Sequence, residues 1–285
     1  MTGLVFVNPR SGPDDSSTEV RERFAAHRVE ETEPDGLAEQ VRDAIDGKPD
    51  FIGVAGGDGT IRTVAQELVG TDIPLLAIPA GTRNHFARDL CIDTIEAAAD
   101  AADAGLSRRI DVGRVNGQVF VNNSSIGLYP KIVVRREVHE RRVPKAVANV
   151  VAAYEQLRHG HRLVVEVDGT RMRIWLSFIG NGRYGEGLWD LADRESLDGH
   201  ELDVRLVQAD RPLARLRVVG ALVLGRLARS PLITTQRSTA VTMELDRTKV
   251  EVALDGEVQT MAPPLHYESV AGALVVLAPP APDQA

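Results

Sequence analysis

Cysteine, long apolar runs and excess positive charge are all scarce in this sequence, and each scarcity argues against a class of protein. The single cysteine, Cys91, among 285 residues rules out an intrachain disulfide and favours a reducing, cytoplasmic setting. We expect Cys91 to pack as a small apolar residue. No run approaches the roughly 20 apolar residues of a membrane span, and the first residues lack the features of a signal peptide. The net charge of -8 argues against a general nucleic-acid binder.

Several common catalytic and cofactor motifs are also missing. The sequence has neither a Gly-x4-Gly-Lys-Ser/Thr loop nor a Gly-x-Gly-x-x-Gly fingerprint, which argues against a P-loop nucleotidase and a Rossmann cofactor site. Cysteine and histidine never cluster at zinc-ligand spacing, and no Gly-x-Ser-x-Gly nucleophile elbow occurs. Any catalytic chemistry therefore rests on other residues.

The first hundred residues alternate short apolar runs with helical patterns, which is typical of parallel βαβ units. The predicted strands are Leu4–Val7, Val29–Glu31, Phe51–Ala55 and Pro74–Ile78. The predicted helices are Ser17–His27, Leu37–Ile45, Thr60–Val69, a segment from about Asn84, and Ile92–Ala104. The fold class predicted for this part is α/β, and ligands in such sheets bind at the carboxyl ends of the strands.

After about residue 110 the pattern changes to closely spaced strands. Asp168-Gly169 and Asp255-Gly256 lie between apolar runs, where such dipeptides predict tight hairpins. The strands, which favour an antiparallel β-sandwich, are Val119–Asn122, Arg162–Val167, Arg171–Phe178, Leu202–Val207, Ala240–Leu245, Val250–Leu254 and Ala273–Leu277. We therefore predict two domains, residues 1–112 and residues 113–285, with the option that the C-terminal segment packs back on the first domain.

A glycine-rich loop after the third strand carries the strongest local signal. Gly56, Gly57 and Gly59 allow backbone φ values that other residues avoid, and without Cβ atoms they let a bulky anion approach the main-chain N–H groups. The helix expected from about Thr60 directs its free N–H groups to the same point, so a phosphate would be well held. Asp58 would repel that phosphate unless a cation lies between them or its side chain caps the helix.

A second turn of similar size, Pro79-Ala80-Gly81-Thr82, follows the next predicted strand. Both glycine turns would lie at the carboxyl edge of one parallel sheet, so they could converge on a single ligand. Phosphate-sized turns combined with a carboxylate indicate magnesium-dependent phosphate chemistry.

Four motifs occur in order at fitting separations: Asn8-Pro9-x-Ser11-Gly12, Gly56-Gly57-Asp58-Gly59-Thr60, Pro79-x-Gly81-Thr82-x-Asn84-x-Phe86-Ala87 and Asp255-Gly256-Glu257. Together they resemble the diacylglycerol kinase catalytic family, which includes bacterial lipid kinases and sphingosine kinases and is related to NAD kinases. The resemblance covers nearly the whole chain, and Asn122 with Gly127 fits the same pattern. It implies a nucleotide-binding α/β domain, a β-sandwich domain for the lipid substrate and an active site in the cleft between them.

The resemblance also implies roles for individual residues. Glu257 resembles the base that accepts the proton of the attacking hydroxyl, and Asp255 would orient it or help to hold magnesium. Without the resemblance, the same residues read as a solvated hairpin turn. Asp58 would belong to the magnesium site together with Asp111, acting through water, although a cap on a turn explains Asp111 equally well. The residues expected around ATP are Asn8, Ser11, Gly12, Thr32, Gly56, Gly57, Asp58, Gly59, Thr60, Gly81, Thr82 and Asn84.

One position departs from the family pattern. Many relatives have Asn-Asp-Phe where this chain has Asn84-His85-Phe86. The aspartate would support the metal network, and histidine cannot supply a hard anionic oxygen to magnesium. Three explanations stay open: a network rebuilt with water and other carboxylates, a weaker metal site, or a cationic His85 that contacts phosphate.

Two basic segments stand out in an otherwise acidic chain. Residues 131–162 hold eight basic and three acidic residues, with apolar residues interleaved at near-helical spacing, and residues 211–229 repeat the pattern. Such helices can lie on an anionic lipid surface, which would place the protein peripherally at the inner membrane surface, or simply present a solvated basic face.

The leading prediction is an ATP- and magnesium-dependent kinase that phosphorylates the hydroxyl of a diacylglycerol-like lipid. One alternative keeps the kinase and changes the acceptor to a sphingoid base, a polyol or NAD. Another alternative, motivated by His85, is a nucleotide- or lipid-binding module that has lost catalysis. The sequence leaves the acceptor and the oligomeric state open.

Overall fold

The computed structural model describes residues 2–8, 16–33, 35–127, 162–185, 194–210 and 232–279. The chain forms two compact units. Unit 1 comprises Met1–Val112, Gln118–Asn122 and Val270–Ala285, and unit 2 comprises Gly113–Gly117 and Asn123–Ser269. That residues 1–112 and residues 113–285 each form a domain stays a prediction. Except for Arg162, the two basic segments lie outside the described residues.

Unit 1 contains a parallel sheet whose first four strands are joined by helices. Its strands are β1 (Leu4–Val7), β2 (Arg28–Glu31), β3 (Ile52–Gly56), β4 (Leu75–Pro79) and β6 (Gln118–Phe120), with the first part of β5 (Ser107–Val115) and the last part of β15 (Leu265–Leu277). Its helices are α1 (Ser16–Arg23), α2 (Leu37–Asp46), α3 (Asp58–Leu68), α4 (His85–Asp89) and α5 (Ile95–Ala104).

The parallel sheet of unit 1 runs in the order β15-β4-β3-β1-β2. Val7 pairs with Glu31 on one side and with Ala55 on the other, and Gly56 pairs with Pro79. The carboxyl ends of β1 to β4 therefore lie side by side. Strands β1, β3 and β4 are apolar and almost fully buried, as expected for parallel strands covered on both faces, whereas the edge strand β2 is charged and partly exposed.

The sequence explains how the helices pack on this sheet and where they begin. Helix α5 begins after Thr94, whose hydroxyl accepts the N–H of Ala97 at 3.0 Å, and such a cap satisfies one of the free N–H groups at a helix start. Helix α3 buries one face whose members recur at helical spacing: Ile61, Val64, Ala65 and Leu68.

Unit 2 is antiparallel. Its strands are β7 (Asn123–Gly127), β8 (Leu163–Val167), β9 (Thr170–Asn181), β10 (Leu202–Gln208), β11 (Ile233–Ser238), β12 (Ala240–Leu245), β13 (Val250–Leu254) and β14 (Glu257–Met261), with the first part of β15. They run in the order β14-β13-β7-β9-β8-β12-β15, and β10 pairs with both β9 and β11. The first half of the long strand β9 pairs with β8, and its second half pairs with β7 and β10.

Two hairpins of unit 2 share the same two-residue turn. Asp168-Gly169 joins β8 to β9, and Asp255-Gly256 joins β13 to β14. All four residues have positive φ, at 47° and 81° in the first turn and 49° and 94° in the second. These values are those of a type I′ turn, which matches the twist of the flanking strands. Both predicted hairpins are confirmed.

The predicted fold class is confirmed, with corrections to individual elements. Helix α3 begins at Asp58 instead of about Thr60, so the aspartate is the first helical residue. Helix α5 begins at Ile95 instead of Ile92, because Thr94 caps it. The strand expected up to Asn122 ends at Phe120.

Other differences concern elements with weak sequence signals. Strands β5, β7, β11 and β14 were not predicted, since polar and small residues interrupt their apolar pattern. Cys91 is exposed and has a φ of 61°, so the expectation that it packs as an apolar residue is wrong. None of the described helices combines the length and the apolar composition that crossing a membrane requires.

Candidate active site

Four of the residues expected around ATP lie where parallel strands of unit 1 end. Asn8 follows β1, Thr32 follows β2, Gly57 follows β3, and Gly81 lies two positions after β4. Because these strands are in register, the four positions line one edge of the sheet, about 5 Å apart from strand to strand. Asn8 and Thr32 are buried. Ligands of parallel α/β sheets bind at this edge.

The two glycine turns touch each other through their backbones. A Cβ atom on Gly81 would overlap the Cα of Gly57 and lie 2.9 Å from its nitrogen, and one on Gly56 would lie 2.7 Å from Cβ of Thr60. Glycine is therefore needed at Gly56 and Gly81 for space. The conformational freedom of Gly56, Gly57 and Gly59 is not used, since none has a positive φ and Gly57 lies at -85°.

Asn84 holds the second turn in shape. Its side-chain amide forms two hydrogen bonds with Gly81, accepting the N–H at 2.9 Å and donating to the carbonyl at 2.9 Å. Asn84 itself has a φ of 50° and precedes α4 as its N-cap residue. Because the side chain of Asn84 already accepts the N–H of Gly81, a phosphate at this turn would contact the exposed Thr82 instead.

The Asp58 carboxylate ties the first turn to the start of α4. Its Oδ2 accepts the N–H of His85 at 3.2 Å. Its Oδ1 accepts the N–H of Phe86 at 2.9 Å and the side-chain amide of Asn122 at 3.1 Å. Of the two explanations for this aspartate, a neighbouring cation or a helix cap, the contacts match a cap, and the capped helix is α4 instead of α3.

The side chains predicted to hold magnesium do not fit an ion that they coordinate directly. N–H donors occupy three of the roughly four acceptor positions of the Asp58 carboxylate. Asp111 is buried, and its Oδ1 accepts the N–H of Gly272 at 2.8 Å, which matches the alternative of a cap. The described residues contain no group of three or more His, Cys, Asp or Glu placed to share a metal ion. A magnesium site that Asp58 and Asp111 hold through water stays a prediction.

His85 is half-buried at the start of α4. Burial lowers the pKa of its imidazole below the ordinary value of 6.5, and the carboxylates of Asp58 and Asp89 only partly oppose this shift. Arg88 and Arg83 lower the pKa further. This lowered pKa favours the neutral imidazole in the nucleotide-free protein, and the three explanations for His85 stay predictions.

A depression of about 430 Å³ lies beside Thr32. Besides Thr32, Gly36 and Gln40, it is lined by four carboxylates, those of Glu31, Glu33, Glu39 and Asp43. These charges repel a triphosphate, so this depression suits at most an uncharged part of a nucleotide.

In unit 2, the turn before Glu257 is held by Asn123. The N–H of Asn123 donates to Oδ1 of Asp255 at 3.0 Å, and the N–H of Asp255 donates to the carbonyl of Asn123 at 2.9 Å. Glu257 is the first residue of β14 and is exposed. A rigid turn thus precedes an exposed carboxylate, and the Asp255 contact favours the orienting role over metal binding.

The predicted residues fall into two groups. The described ones in unit 1, apart from Asp111, lie at the carboxyl edge of the parallel sheet or at the start of α3 and α4, whereas Asp255 and Glu257 belong to unit 2. Ser11 and Gly12 lie outside the described residues. Asn122 was predicted only as a member of the motif pattern, without a role, and Asn123 was not predicted. Their signal was a pair of amides directly after the apolar run at residues 119–121.

Comparison with known families covers most of the chain. The model of the diacylglycerol kinase catalytic domain matches residues 2–115. The model of the YegS C-terminal NAD kinase beta sandwich-like domain matches residues 130–278.

Curated relatives agree with these matches. A diacylglycerol kinase of Mycobacterium tuberculosis H37Rv is 32% identical over 246 residues, which cover 81% of this chain and 77% of the relative. A diacylglycerol kinase of Bacillus subtilis is 30% identical over 222 residues, which cover 75% and 73%.

Solved structures support the fold. A diacylglycerol kinase structure from Bacillus anthracis aligns over 98% of this chain and 97% of its own, with a TM-score of 0.69 at 22% identity. A second structure from that organism aligns over 98% of both chains with a TM-score of 0.76 at 23% identity.

Proposed function

Because the chain belongs to the diacylglycerol kinase catalytic-domain family, a family of phosphotransferases with an alcohol acceptor, we propose that it transfers the γ-phosphoryl group of MgATP to the hydroxyl of a diacylglycerol-like lipid. The observation that carries the proposal is the pair of glycine turns in backbone contact at the carboxyl edge of the parallel sheet. Such an edge with a helix N-terminus is a site for a polyphosphate.

In the proposed complex, ATP lies along the edge formed by Asn8, Thr32, Gly57 and Thr82. The first turn of α3 supplies N–H groups that have no partner within the helix, and their positive end favours the phosphates. Asn84 and Asp58 hold the two turns at a fixed spacing. Phosphoryl transfer depends chiefly on such positioning and on charge stabilisation.

Glu257 is the proposed general base. A carboxylate near the acceptor hydroxyl accepts its proton as the oxygen attacks the γ-phosphorus, while the bond to the β-phosphate oxygen breaks and ADP leaves. The type I′ turn and the two hydrogen bonds between Asp255 and Asn123 would hold the backbone before Glu257 in place. Both Glu257 and the nucleotide have to reach the same hydroxyl for this step to occur.

The test is a kinase assay with γ-labelled ATP, magnesium and a panel of acceptors: diacylglycerol, a sphingoid base, glycerol and NAD. We expect label in the lipid product, and Glu257→Gln should lower kcat by about 10²- to 10⁴-fold, the usual contribution of a general base. Glu251→Gln, which changes an exposed glutamate of β13, is the matched control with a wild-type rate.

Each other result of this assay has a defined meaning. Phosphorylation of NAD without lipid would replace the proposed acceptor. Tight MgATP binding without turnover on any acceptor would favour a binding module, and a gain of activity in His85→Asp would then explain the loss. A wild-type rate in Glu257→Gln would show that another group is the base.

We further propose that the protein works in the cytoplasm and contacts anionic membranes peripherally. The support is the sequence of residues 131–162, in which eight basic residues accompany three acidic ones, because basic amphipathic segments bind anionic lipid. Co-sedimentation with vesicles containing phosphatidylglycerol, but not with purely zwitterionic vesicles, is the expected result. Equal binding to both would contradict it.

A further inference from the structure

We propose that Asn122 is a positioning residue of the transfer site, which acts through Asp58 on the spacing of the two glycine turns. The inference rests on the proposed function, since it deepens the account of the same site. Asn122 has no assigned role in the proposed chemistry. Its side chain is 4% exposed, so its contacts are made inside the protein.

Asn122 completes a junction of three segments at one carboxylate. The first segment is the start of α3, which carries Asp58, and the second is the start of α4, whose N–H groups at His85 and Phe86 bond to it. The third is the stretch after β6, from which Asn122 donates its amide to Oδ1 at 3.1 Å. The same oxygen accepts the Phe86 N–H at 2.9 Å, so both donors fix its direction.

A second hydrogen bond holds the segment that carries Asn122 along α3. The N–H of Val119 donates to Oε1 of Gln66 at 2.7 Å, about two turns further along the helix than Asp58. The segment is therefore tied to α3 by this bond to Gln66 as well as by the bond from Asn122 to the carboxylate. Anchoring of the segment can therefore be tested at Gln66, and positioning of the Asp58 carboxylate can be tested at Asn122.

The junction sets the geometry of the anion site. Gly57 and Gly81 are in backbone contact, so the two turns cannot approach further. Asp58 limits how far they separate, because it links the residue after Gly57 to the helix that follows the second turn. By bonding to the carboxylate, Asn122 keeps the Asp58 side chain in one rotamer. Asp58 in turn holds Thr82 at a constant distance from the N-terminus of α3.

A neutral amide is the chemistry that this position needs. It donates to the carboxylate without adding a charge that would compete for the phosphates. An aspartate of the same size would offer only acceptors and would place a second negative charge beside Asp58, where like charges repel. The isosteric change Asn122→Asp therefore reverses the interaction while keeping the side-chain volume.

The experiment compares Asn122→Asp and Asn122→Ala with Gln66→Ala, which removes the hydrogen bond to Val119 in the same segment and leaves Asn122 in place. The readouts are kcat and KM for ATP, the dissociation constant of MgATP by calorimetry, and hydrogen exchange at the amides of His85 and Phe86. Both Asn122 variants should lower kcat/KM for ATP by about tenfold or more and accelerate exchange at the two amides. Gln66→Ala should lower Tm but leave these values near wild type. In an Asp58→Ala background, Asn122→Ala should cause no further loss.

Two outcomes would overturn the inference. One is a wild-type kcat/KM and wild-type amide protection in Asn122→Asp. The other is the same loss in Gln66→Ala as in Asn122→Ala, which would assign Asn122 to anchoring the segment alone. If the wild-type protein phosphorylates no acceptor, the proposed function fails. Amide exchange and MgATP affinity then still decide the role of Asn122.

Discussion

At the scale of single residues, polar side chains of the candidate site bond mainly to backbone groups. Asp58, Asn84, Asp111 and Asp255 each accept a main-chain N–H, at distances between 2.8 and 3.2 Å. A buried N–H left without a partner is costly, so each of these side chains stabilises a particular turn or strand end. The motif residues thus shape the site before any ligand binds.

His85 provides a prediction at this scale. Because burial lowers its pKa, the folded protein favours the neutral imidazole, and the stability from this preference is lost as pH falls from about 6.5 through the folded pKa. An NMR titration of the nucleotide-free protein should give His85 a midpoint below 6.5, and His85→Asn should lose less stability between pH 7 and 5 than wild type. The charged neighbours in play are Asp58, Asp89, Arg83 and Arg88. A midpoint at or above 6.5 would contradict the prediction.

The residue types at the site were readable from the sequence, but their partners were not. Nothing in a local pattern tells Asp58 to cap α4, which begins 27 positions later along the chain. The local pattern pointed to the helix that Asp58 begins. Likewise, Asn123 was invisible as the partner of Asp255, since the two residues are 132 positions apart. Pairings over such distances are set by the sheet as a whole.

At the scale of elements, the two type I′ hairpins form a natural matched pair. Both consist of Asp-Gly, both have positive φ, and neither glycine has an atom within 4 Å of a Cβ position. They differ in the residue after the turn, since only Asp255-Gly256 precedes the proposed base. The dipeptide made both turns predictable from sequence, but the next strand, β14, was missed, because Glu257, Gln259 and Thr260 mask its apolar pattern.

The change Gly256→Ala should lower the free energy of unfolding by about 1–2 kcal/mol, the cost of a left-handed residue with a Cβ, and should also lower kcat by moving Glu257. Gly169→Ala carries the same backbone cost and should leave kcat unchanged. Chemical denaturation and the lipid kinase assay measure the two effects. If the two variants had equal kcat values, catalysis would not depend on the conformation of the turn before Glu257.

A second prediction concerns the contact between the glycine turns. Gly81→Ala should separate the turns, because its Cβ would overlap Gly57, and we expect about 1–3 kcal/mol of lost stability and at least a tenfold weaker affinity for MgATP. Gly57→Ala is the comparison, since its Cβ would lie 3.7 Å from Gly81 at an ordinary φ of -85°. That variant should keep its Tm. Calorimetry and thermal unfolding check both variants, and a wild-type affinity in Gly81→Ala would be incompatible with the proposed site.

At the scale of the whole molecule, unit 1 is assembled from three separate stretches of sequence. Val276 of β15 pairs with Leu75 of β4, and Gly272 donates its N–H to Asp111. The alternation of strands and helices predicted the parallel sheet correctly. It could not order the strands, because a strand from the far end of the chain carries no local mark of its neighbour. For the same reason, the sequence predicted the packing of the C-terminal segment on the first domain only as an option.

A chain that ends at Ser269 should lack a stable unit 1. It would lose the part of β15 that pairs with β4 and the Gly272 N–H that donates to Asp111. Buried residues of β4 such as Leu76 and Ile78 would then become exposed. We expect loss of cooperative thermal unfolding and of MgATP binding. A chain that ends at Pro279 retains β15 and should behave as wild type. A truncated protein that binds MgATP normally would show that β15 is dispensable.

The pairing of β4 with β15 also has a consequence for synthesis. On the ribosome, β4 emerges about 200 residues before the partner strand that covers its edge. The nascent chain must therefore carry an open, apolar strand edge through most of translation, and contacts of such long sequence separation form slowly. Folding of unit 1 is thus deferred until after unit 2 has been made, although most of unit 1 precedes unit 2 in the sequence.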